Sequence, residues 1–263
     1  MPRESWGRGR VVDLSGLTAL ADERLLLLAA ATVLAALARG FTGFGAGMIF
    51  IPVASALYEP KVAVVLLFVI DGLVTAPILV PAFRRCTWRE VLPLAVGASL
   101  TLPLGVMLLV VADPIALRWF LSITILAIVV VMATGWRYTR RASVPVAAGI
   151  GGIAGFAGGL ANLYGPPIIL FWLAGQSAAA TVRSNLFAFF GLISLMAGAS
   201  YWWKDLFTAD VLMLAAILVP IYAAPVIAGA TLFRSASEDQ FRTVALVLCG
   251  VIAVASMPLW HGP

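Results

Sequence analysis

The sequence predicts an all-α polytopic membrane protein built from two four-segment repeats. The first observation is composition: 62% of the 263 residues are hydrophobic, 11% are charged, and the mean hydropathy is +1.06. Soluble domains are about 45–50% apolar and about 25% charged, so this chain has more apolar surface than a water-soluble fold can bury. The second observation is about eight apolar segments, and the third is that the first segment of each half is broken by glycine.

The apolar segments are separated by short polar or basic stretches. Most are about 20 residues long, enough to cross about 30 Å of hydrocarbon as helix. They cover approximately residues 25–57, 62–83, 91–111, 117–136, 144–174, 184–203, 209–233 and 242–260. The predicted organisation is a polar basic N-terminal tail (1–24), a first membrane repeat (25–138), a cytoplasmic basic linker (139–143) and a second membrane repeat (144–260).

A duplication is indicated by the two glycine-broken segments, which align at an offset of 115 positions. The aligned pairs are Gly40 with Gly155, Phe41 with Phe156, Gly43 with Gly158, and Pro52 with Pro167. If the broken segments cross the bilayer, the chain has eight spans and parallel halves. If they are re-entrant, each half crosses three times and the halves are inverted. The sequence leaves these two topologies open.

The breaks themselves are the first candidate binding site. Unwound backbone in lipid is tolerated where protein buries it or where it lines a polar cavity with helix ends directed at an ion. We therefore expect non-helical backbone near residues 40–47 and 158–166, facing each other near the midplane. The alternative is close helix packing through small residues. The candidate substrate-binding residues here are Thr42, Gly43, Gly45, Asn162, Tyr164 and Gly165.

Two arginines extend this candidate site. Arg39 opens the first break inside an apolar stretch, and its planar fork suits a carboxylate, sulfonate or phosphate. The alternative is an arginine that snorkels to the interface. Arg183, followed by Ser184 and Asn185, opens the sixth segment. Arg183 and Asn185 are predicted to gate or coordinate an anion, the alternative being an interfacial arginine beside a helix cap.

Asp71 is the only acid well inside an apolar segment, which makes it the candidate for proton coupling. It could titrate during transport or pair with Arg39. The structural alternative is that it caps a kink at Gly72.

Several classes of protein are excluded by what the sequence lacks. The arginines lie in short clusters between apolar stretches, which indicates cytoplasmic loops and no nucleic-acid partner. Cys86, Cys249 and His261 do not form a metal-ligand pattern, so no metal and no cofactor are expected. Motifs for a nucleophile with its base, or for nucleotide binding, are absent, so neither an enzyme nor an ATP-driven pump is expected.

The pieces that point to a known family are residues 40–47 (GFTGFGAG) with Pro52, residues 149–152 (GIGG) through Gly165-Pro166-Pro167, and Arg183. With the duplication, they make residues 25–260 similar to the sulfite exporter TauE/SafE family. The resemblance implies a small bacterial inner-membrane, multi-pass protein with a two-fold repeat. It also implies transport, usually export, of a small sulfur-containing or organic anion.

The expected function is therefore export of an anion of the sulfite, sulfonate or carboxylate class, driven by membrane potential or a proton gradient. One charge crossing 100 mV is worth about 2.3 kcal/mol, so an inside-negative membrane expels anions. The alternatives are a cation-conducting channel or permease that uses Asp71, and a membrane-embedded assembly subunit without transport. The expected partners are the small anionic substrate and the lipid bilayer, and a homodimer is left open.

Overall fold

The computed structural model describes residues 23–113, isolated positions between 115 and 130, and residues 143–173 and 179–233. These ranges are all-helical and contain no strand. The helices are α1 (Glu23–Thr42), α2 (Ala46–Leu57), α3 (Pro60–Arg85), α4 (Trp88–Val111), α5 (Val144–Ala161), α6 (Gly165–Leu173), α7 (Ala179–Trp203) and α8 (Ala209–Phe233).

Six of these helices are long and apolar enough to cross a membrane, namely α1, α3, α4, α5, α7 and α8. Large apolar side chains on them point away from the protein: Leu100 is 73% exposed and Leu195 is 75% exposed. Lipid is the environment that such surfaces require. The chain is therefore a multi-pass membrane protein, as the composition predicted. Helices α2 and α6, with 12 and 9 residues, are too short to cross alone.

Both broken segments are interrupted, but the interruptions are shorter than the sequence predicted. Helix α1 ends at Thr42 and α2 begins at Ala46, with Gly43 and Gly45 at φ values of 78° and 90°. Helix α5 ends at Ala161, followed by Asn162 at φ 56°, and α6 begins at Gly165. We call residues 43–45 and 162–164 the two breaks.

The glycines that flank the breaks remain helical. Their role is to let neighbouring groups approach the helix backbone closely, not to unwind it. A Cβ on Gly40 would lie 2.1 Å from the carbonyl oxygen of Val226, and one on Gly158 would lie 1.9 Å from the Tyr164 ring. The corresponding helix ends, Thr42 and Ala161, are also 119 positions apart (161 − 42), not 115. The difference of four residues is about one helical turn. The sequence alignment therefore paired residues that lie on the same helix face but are one turn apart in the structure.

Helices α4 and α5 pack backbone to backbone along their length. A Cβ on Gly97 would lie 1.9 Å from the Ala148 carbonyl oxygen, and one on Gly151 would lie 2.0 Å from that of Leu94. Further along, Gly159 approaches Leu102, so the two helices run parallel. Small-residue packing, which the sequence left as an alternative role for glycine, is what these glycines do.

Substitution of Gly155 should break this contact. A Cβ there would lie 2.2 Å from the Ala98 carbonyl oxygen, so Gly155→Val must force α4 and α5 apart. We expect a loss of about 3 kcal/mol or more, at the upper end of overpacking effects. Gly149→Val is the matched control, because Gly149 lies on the same helix and a Cβ there would have no atom within 4 Å. Thermal unfolding in detergent measures both, and equal melting temperatures would contradict the packing argument.

Helices α3 and α7 run antiparallel. At one end Thr87, just after α3, donates its backbone N–H to the Asn185 side chain near the start of α7. At the other end Phe68 packs edge-on against Tyr201 near the end of α7.

Each half of the chain packs its helices against the other half, in equivalent pairs. Helix α1 packs on α8 as α5 packs on α4, and α3 packs on α8 as α7 packs on α4. The count of eight segments stays a prediction, because residues 242–260 and most of 117–136 lie outside the described ranges.

The two ends of the bundle differ in charge. One end, which we call the arginine-rich end, carries four arginines and one acidic residue: Arg84 and Arg85 at the end of α3, Arg89 and Glu90 at the start of α4, and Arg183 near the start of α7. The opposite end carries residues of both signs, namely Glu59, Lys61, Lys204, Asp205 and Asp210. Exposed tryptophans mark both ends, Trp88 at the first and Trp202 and Trp203 at the second, as an interfacial belt requires.

Candidate functional site

An ion pair between Arg39 and Asp71 connects α1 to the middle of α3. Arg39 is 4% exposed. Its Nε donates to Asp71 Oδ1 at 2.8 Å, and its Nη2 donates to Oδ2 at 2.9 Å. The Tyr222 hydroxyl donates to Oδ1 at 2.8 Å, and the third Arg39 donor, Nη1, bonds the Gly43 carbonyl. The guanidinium thus holds a carboxylate in the two-pronged geometry that it would offer a substrate oxyanion.

Aromatic rings enclose this guanidinium. Its carbon lies 4.7 Å from the centre of the Phe190 ring and 5.1 Å from that of Phe187, both within the range of cation–π attraction. Arg39 therefore points into the protein, and the snorkelling alternative does not describe it. The kink alternative for Asp71 does not describe it either, because α3 continues through Gly72 and the carboxylate bonds Arg39 and Tyr222.

Each break packs against the first turn of the helix that follows the other break. A Cβ on Gly47 would lie 2.6 Å from the Asn162 carbonyl oxygen, and one on Gly165 would lie 3.0 Å from the Phe44 ring. Thr42 closes the first break, since its hydroxyl accepts the Phe44 N–H and donates to the Ala38 carbonyl. Substrate contact by Thr42 stays a prediction, and in the structure its hydroxyl bonds the neighbouring backbone of Ala38 and Phe44.

A cavity of about 60 Å³ lies where the breaks meet the middle of α3 and α7. Its charged and polar lining is Arg39, Asp71, Asn162, Tyr164 and Ser194, with glycine backbone at Gly45, Gly47 and Gly165. One water needs about 10–15 Å³ of such volume, so the space suits a few waters or one small ion. Of the predicted site residues, Arg39, Gly45, Asp71, Asn162, Tyr164 and Gly165 line this cavity.

Tyr164 adds a buried hydroxyl to the cavity wall. It approaches the hydroxyl of Tyr201, yet neither completes a hydrogen bond within the described residues. A buried hydroxyl without such a bond costs free energy, so a ligand that accepts from it would be stabilised.

The other predicted site residues lie outside the cavity lining. Arg183 Nη2 donates to the Gly40 carbonyl at 2.9 Å, at the C-terminal end of α1. Gly43 lies under the Arg183 and Phe187 side chains. Asn185 accepts the Thr87 N–H and donates to Glu90 Oε2, which also accepts from Trp172 Nε1. Asn185 therefore ties α7 to α4 and α6 at the arginine-rich end.

Three contributors were missed at the level of sequence. Tyr222, Phe187 and Phe190 complete the surroundings of Arg39, and each is an apolar-looking position in a long apolar helix. No local motif separates them from core aromatics, and only the crossing of α3, α7 and α8 brings them to the ion pair.

Comparison with known proteins gives one result that covers most of the chain. The protein-family model described as Sulfite exporter TauE/SafE matches residues 28–256. No curated protein and no solved structure matches.

Proposed function

The chain belongs to the sulfite exporter TauE/SafE family, a family of membrane transporters of the sulfite or anion type, and from this premise we propose that it exports a small anion across the bacterial inner membrane. The substrate class is sulfite, a small sulfonate or a small carboxylate. The observation that carries the proposal is Arg39, a buried guanidinium on the wall of a small cavity between two helix breaks.

The short helices favour an anion over a cation at this place. Both α2 and α6 begin at the breaks, and their first residues, Ala46, Gly47 and Gly165, line the cavity. Backbone N–H groups at a helix start lack partners within the helix, and the helix dipole adds positive potential there. In α6 the second and third residues are Pro166 and Pro167, which have no N–H, so its start contributes mainly the dipole and the Gly165 N–H. Two helix starts and one guanidinium therefore converge on a volume that fits an oxyanion.

The packing supports inverted repeats for this transporter. The second long helices of the two halves, α3 and α7, are antiparallel, and the halves exchange equivalent partners. Because α1 ends near Arg183 whereas α3 begins at the opposite end, α2 leads back across part of the bilayer. Re-entrant first segments with a site between inverted halves are an arrangement that supports alternating access.

The charge difference between the ends supports one orientation in the membrane. Cytoplasmic loops of membrane proteins carry an excess of lysine and arginine. The arginine-rich end fits this rule, and the sequence that leads into α5 adds Arg137, Arg140 and Arg141. We place this end in the cytoplasm, and the labelling experiment described in the next subsection checks the placement.

The ion pair suggests how protons and anions are linked. An anion that binds the Arg39 fork takes the place of the Asp71 carboxylate, and we propose that a proton carried with the anion resides on Asp71. Proton and anion are then carried together, so a divalent anion moves with one net negative charge. An inside-negative potential still expels that complex, at about 2.3 kcal/mol per charge per 100 mV. Cation conduction through Asp71 gains no support, since the carboxylate is occupied by Arg39.

The proposal is tested with a panel of ions on the purified protein. We expect sulfite, methanesulfonate or acetate to raise the melting temperature, because a ligand at about 100 times its Kd stabilises the native state by about 2.7 kcal/mol. Naphthalenesulfonate is too large for the cavity and serves as the control, together with sodium and potassium at equal ionic strength. If the stabilising anion is divalent, it should also leave loaded proteoliposomes faster under an inside-negative potential, whereas a monovalent anion that moves with a proton carries no net charge and should not respond to the potential. Stabilisation and flux confined to cations would replace the proposal with a cation pathway.

A further inference from the structure

A second and larger cavity, of about 510 Å³, opens at the arginine-rich end between α3, α7 and α8. We call it the vestibule. Its lining includes Arg85 and Arg183 together with the hydroxyl residues Thr181 and Ser184, and none of its lining residues is acidic. Arg85 is exposed and Arg183 is half-buried. Two guanidiniums around an open cavity create a local positive potential that concentrates anions.

The vestibule and the central cavity share no lining residue, and Phe187 lies between them. This ring is 3% exposed and forms part of the vestibule wall. Its centre is 5.7 Å from the Arg183 guanidinium and 5.1 Å from the Arg39 guanidinium. Gly43 lies against both side chains: a Cβ there would make ordinary van der Waals contact with Arg183 Cγ at 3.5 Å and with Phe187 Cε2 at 3.7 Å. Phe187 is thus within cation–π range of Arg183 and of Arg39. We call this ring between the two cavities the partition.

We propose that the vestibule is a second anion-binding site, formed by Arg85 and Arg183, from which the substrate passes Phe187 to reach Arg39. Its ligand is the same class of small oxyanion as in the central cavity, and the inference rests on the proposed function. In this arrangement Phe187 holds the central cavity closed toward the arginine-rich end. The competing explanation is purely structural: Arg183 caps the end of α1, and Arg85 anchors α3 at the interface.

The first experiment separates the vestibule from general surface charge. Arg85→Gln removes a lining charge, whereas Arg84→Gln removes a charge that is also exposed, on the same turn, but does not line the vestibule. With anion supplied from the arginine-rich side, we expect Arg85→Gln to raise the half-saturating concentration about threefold, an effect of local potential. Arg84→Gln should leave it unchanged, and anion supplied from the opposite side should be insensitive to both. Equal effects of the two variants would overturn the vestibule site.

The second experiment tests the partition without measuring transport. In a chain with Cys86 and Cys249 replaced by serine, Thr181→Cys labels the vestibule and Ser194→Cys labels the central cavity. An anionic methanethiosulfonate added at the arginine-rich side should modify Thr181→Cys at least about tenfold faster, which corresponds to a closed partition favoured by about 1.4 kcal/mol.

Adding Phe187→Ala should remove this difference by accelerating only the reaction at Ser194→Cys. Equal rates at the two positions with Phe187 present, or no acceleration in Phe187→Ala, would overturn the partition. The labelling rates do not depend on anion binding or transport. They therefore test whether Phe187 separates the vestibule from the central cavity even if no anion raises the melting temperature. If Thr181→Cys reacts only with reagent added on the cytoplasmic side, the arginine-rich end is cytoplasmic. If it reacts only with reagent added on the opposite side, the proposed orientation is wrong.

Discussion

Replacing Arg39 with alanine should abolish anion-induced thermal stabilisation and reduce anion flux to that of protein-free liposomes. The guanidinium is the only cationic group on the central cavity wall among the described residues, and its fork supplies both donors for an oxyanion. Arg39→Lys keeps the charge but loses the two-pronged geometry, so we expect weaker binding than in wild type and stronger binding than in the alanine variant.

Stability must be measured beside binding, because Arg39→Ala also leaves Asp71 without its partner. Removing one member of a buried pair costs about 3–5 kcal/mol. The Asp71 side chain is 22% exposed toward the cavity, so we expect the lower part of that range. The double variant Arg39→Ala with Asp71→Asn removes both charges and should regain stability without regaining anion binding. Arg84→Ala is the matched control for loss of an arginine. Unchanged anion affinity in Arg39→Ala would reduce Arg39 to a structural partner of Asp71.

Replacing Asp71 with asparagine should free the Arg39 cation permanently. The asparagine side chain does not take up or release a proton. Anion binding to this variant should therefore no longer change with pH, and transport should no longer respond to a pH gradient. Because the anion no longer competes with a carboxylate, we expect it to raise the melting temperature more in Asp71→Asn than in wild type. Without anion the variant should be less stable, since an unpaired buried charge is costly.

The measurement is anion flux in proteoliposomes at clamped membrane potential, with and without a pH gradient. Counterflow exchange needs no net proton movement and should survive in Asp71→Asn. If Asp71 only positions Arg39, the substitution should damage exchange and stability together, and added anion should restore neither. Wild-type flux that is indifferent to the gradient would leave membrane potential as the driving force.

The sequence predicted the fold class because composition and segment length decide whether lipid must cover a chain. It also predicted the residues of the ion pair, since Arg39 and Asp71 are rare charges inside apolar segments. It could not predict which glycines unwind the backbone. Gly40 and Gly43 look alike in sequence, yet Gly40 admits the Val226 carbonyl of α8 whereas Gly43 adopts positive φ. That difference depends on a helix almost two hundred residues away.

The same limit applies to the aromatic side of the site. Tyr222 bonds Asp71 only because α8 crosses α3 at this depth, and Phe187 contacts Arg39 only because α7 runs antiparallel to α3. The hydrogen bonds of Asn185 could not be predicted either. A polar residue beside Arg183 looked like a ligand, but helix packing directs it to Thr87 and Glu90.

Arg39 and Asp71 both belong to the first half of the chain, so their pairing bears on how the protein enters the bilayer during synthesis. A lone aspartate at the centre of a helix opposes insertion by about 2.5–3.5 kcal/mol, and Asp71 lies in the middle of α3, whereas Arg39 lies in the last turn of α1. Helices α1 and α3 emerge before any part of the second half, and their side chains bond each other directly. The ion pair can therefore offset this cost before α7 and α8 arrive to enclose the two side chains. The groups proposed to select an anion in the finished protein thus also shield each other while the protein is being made.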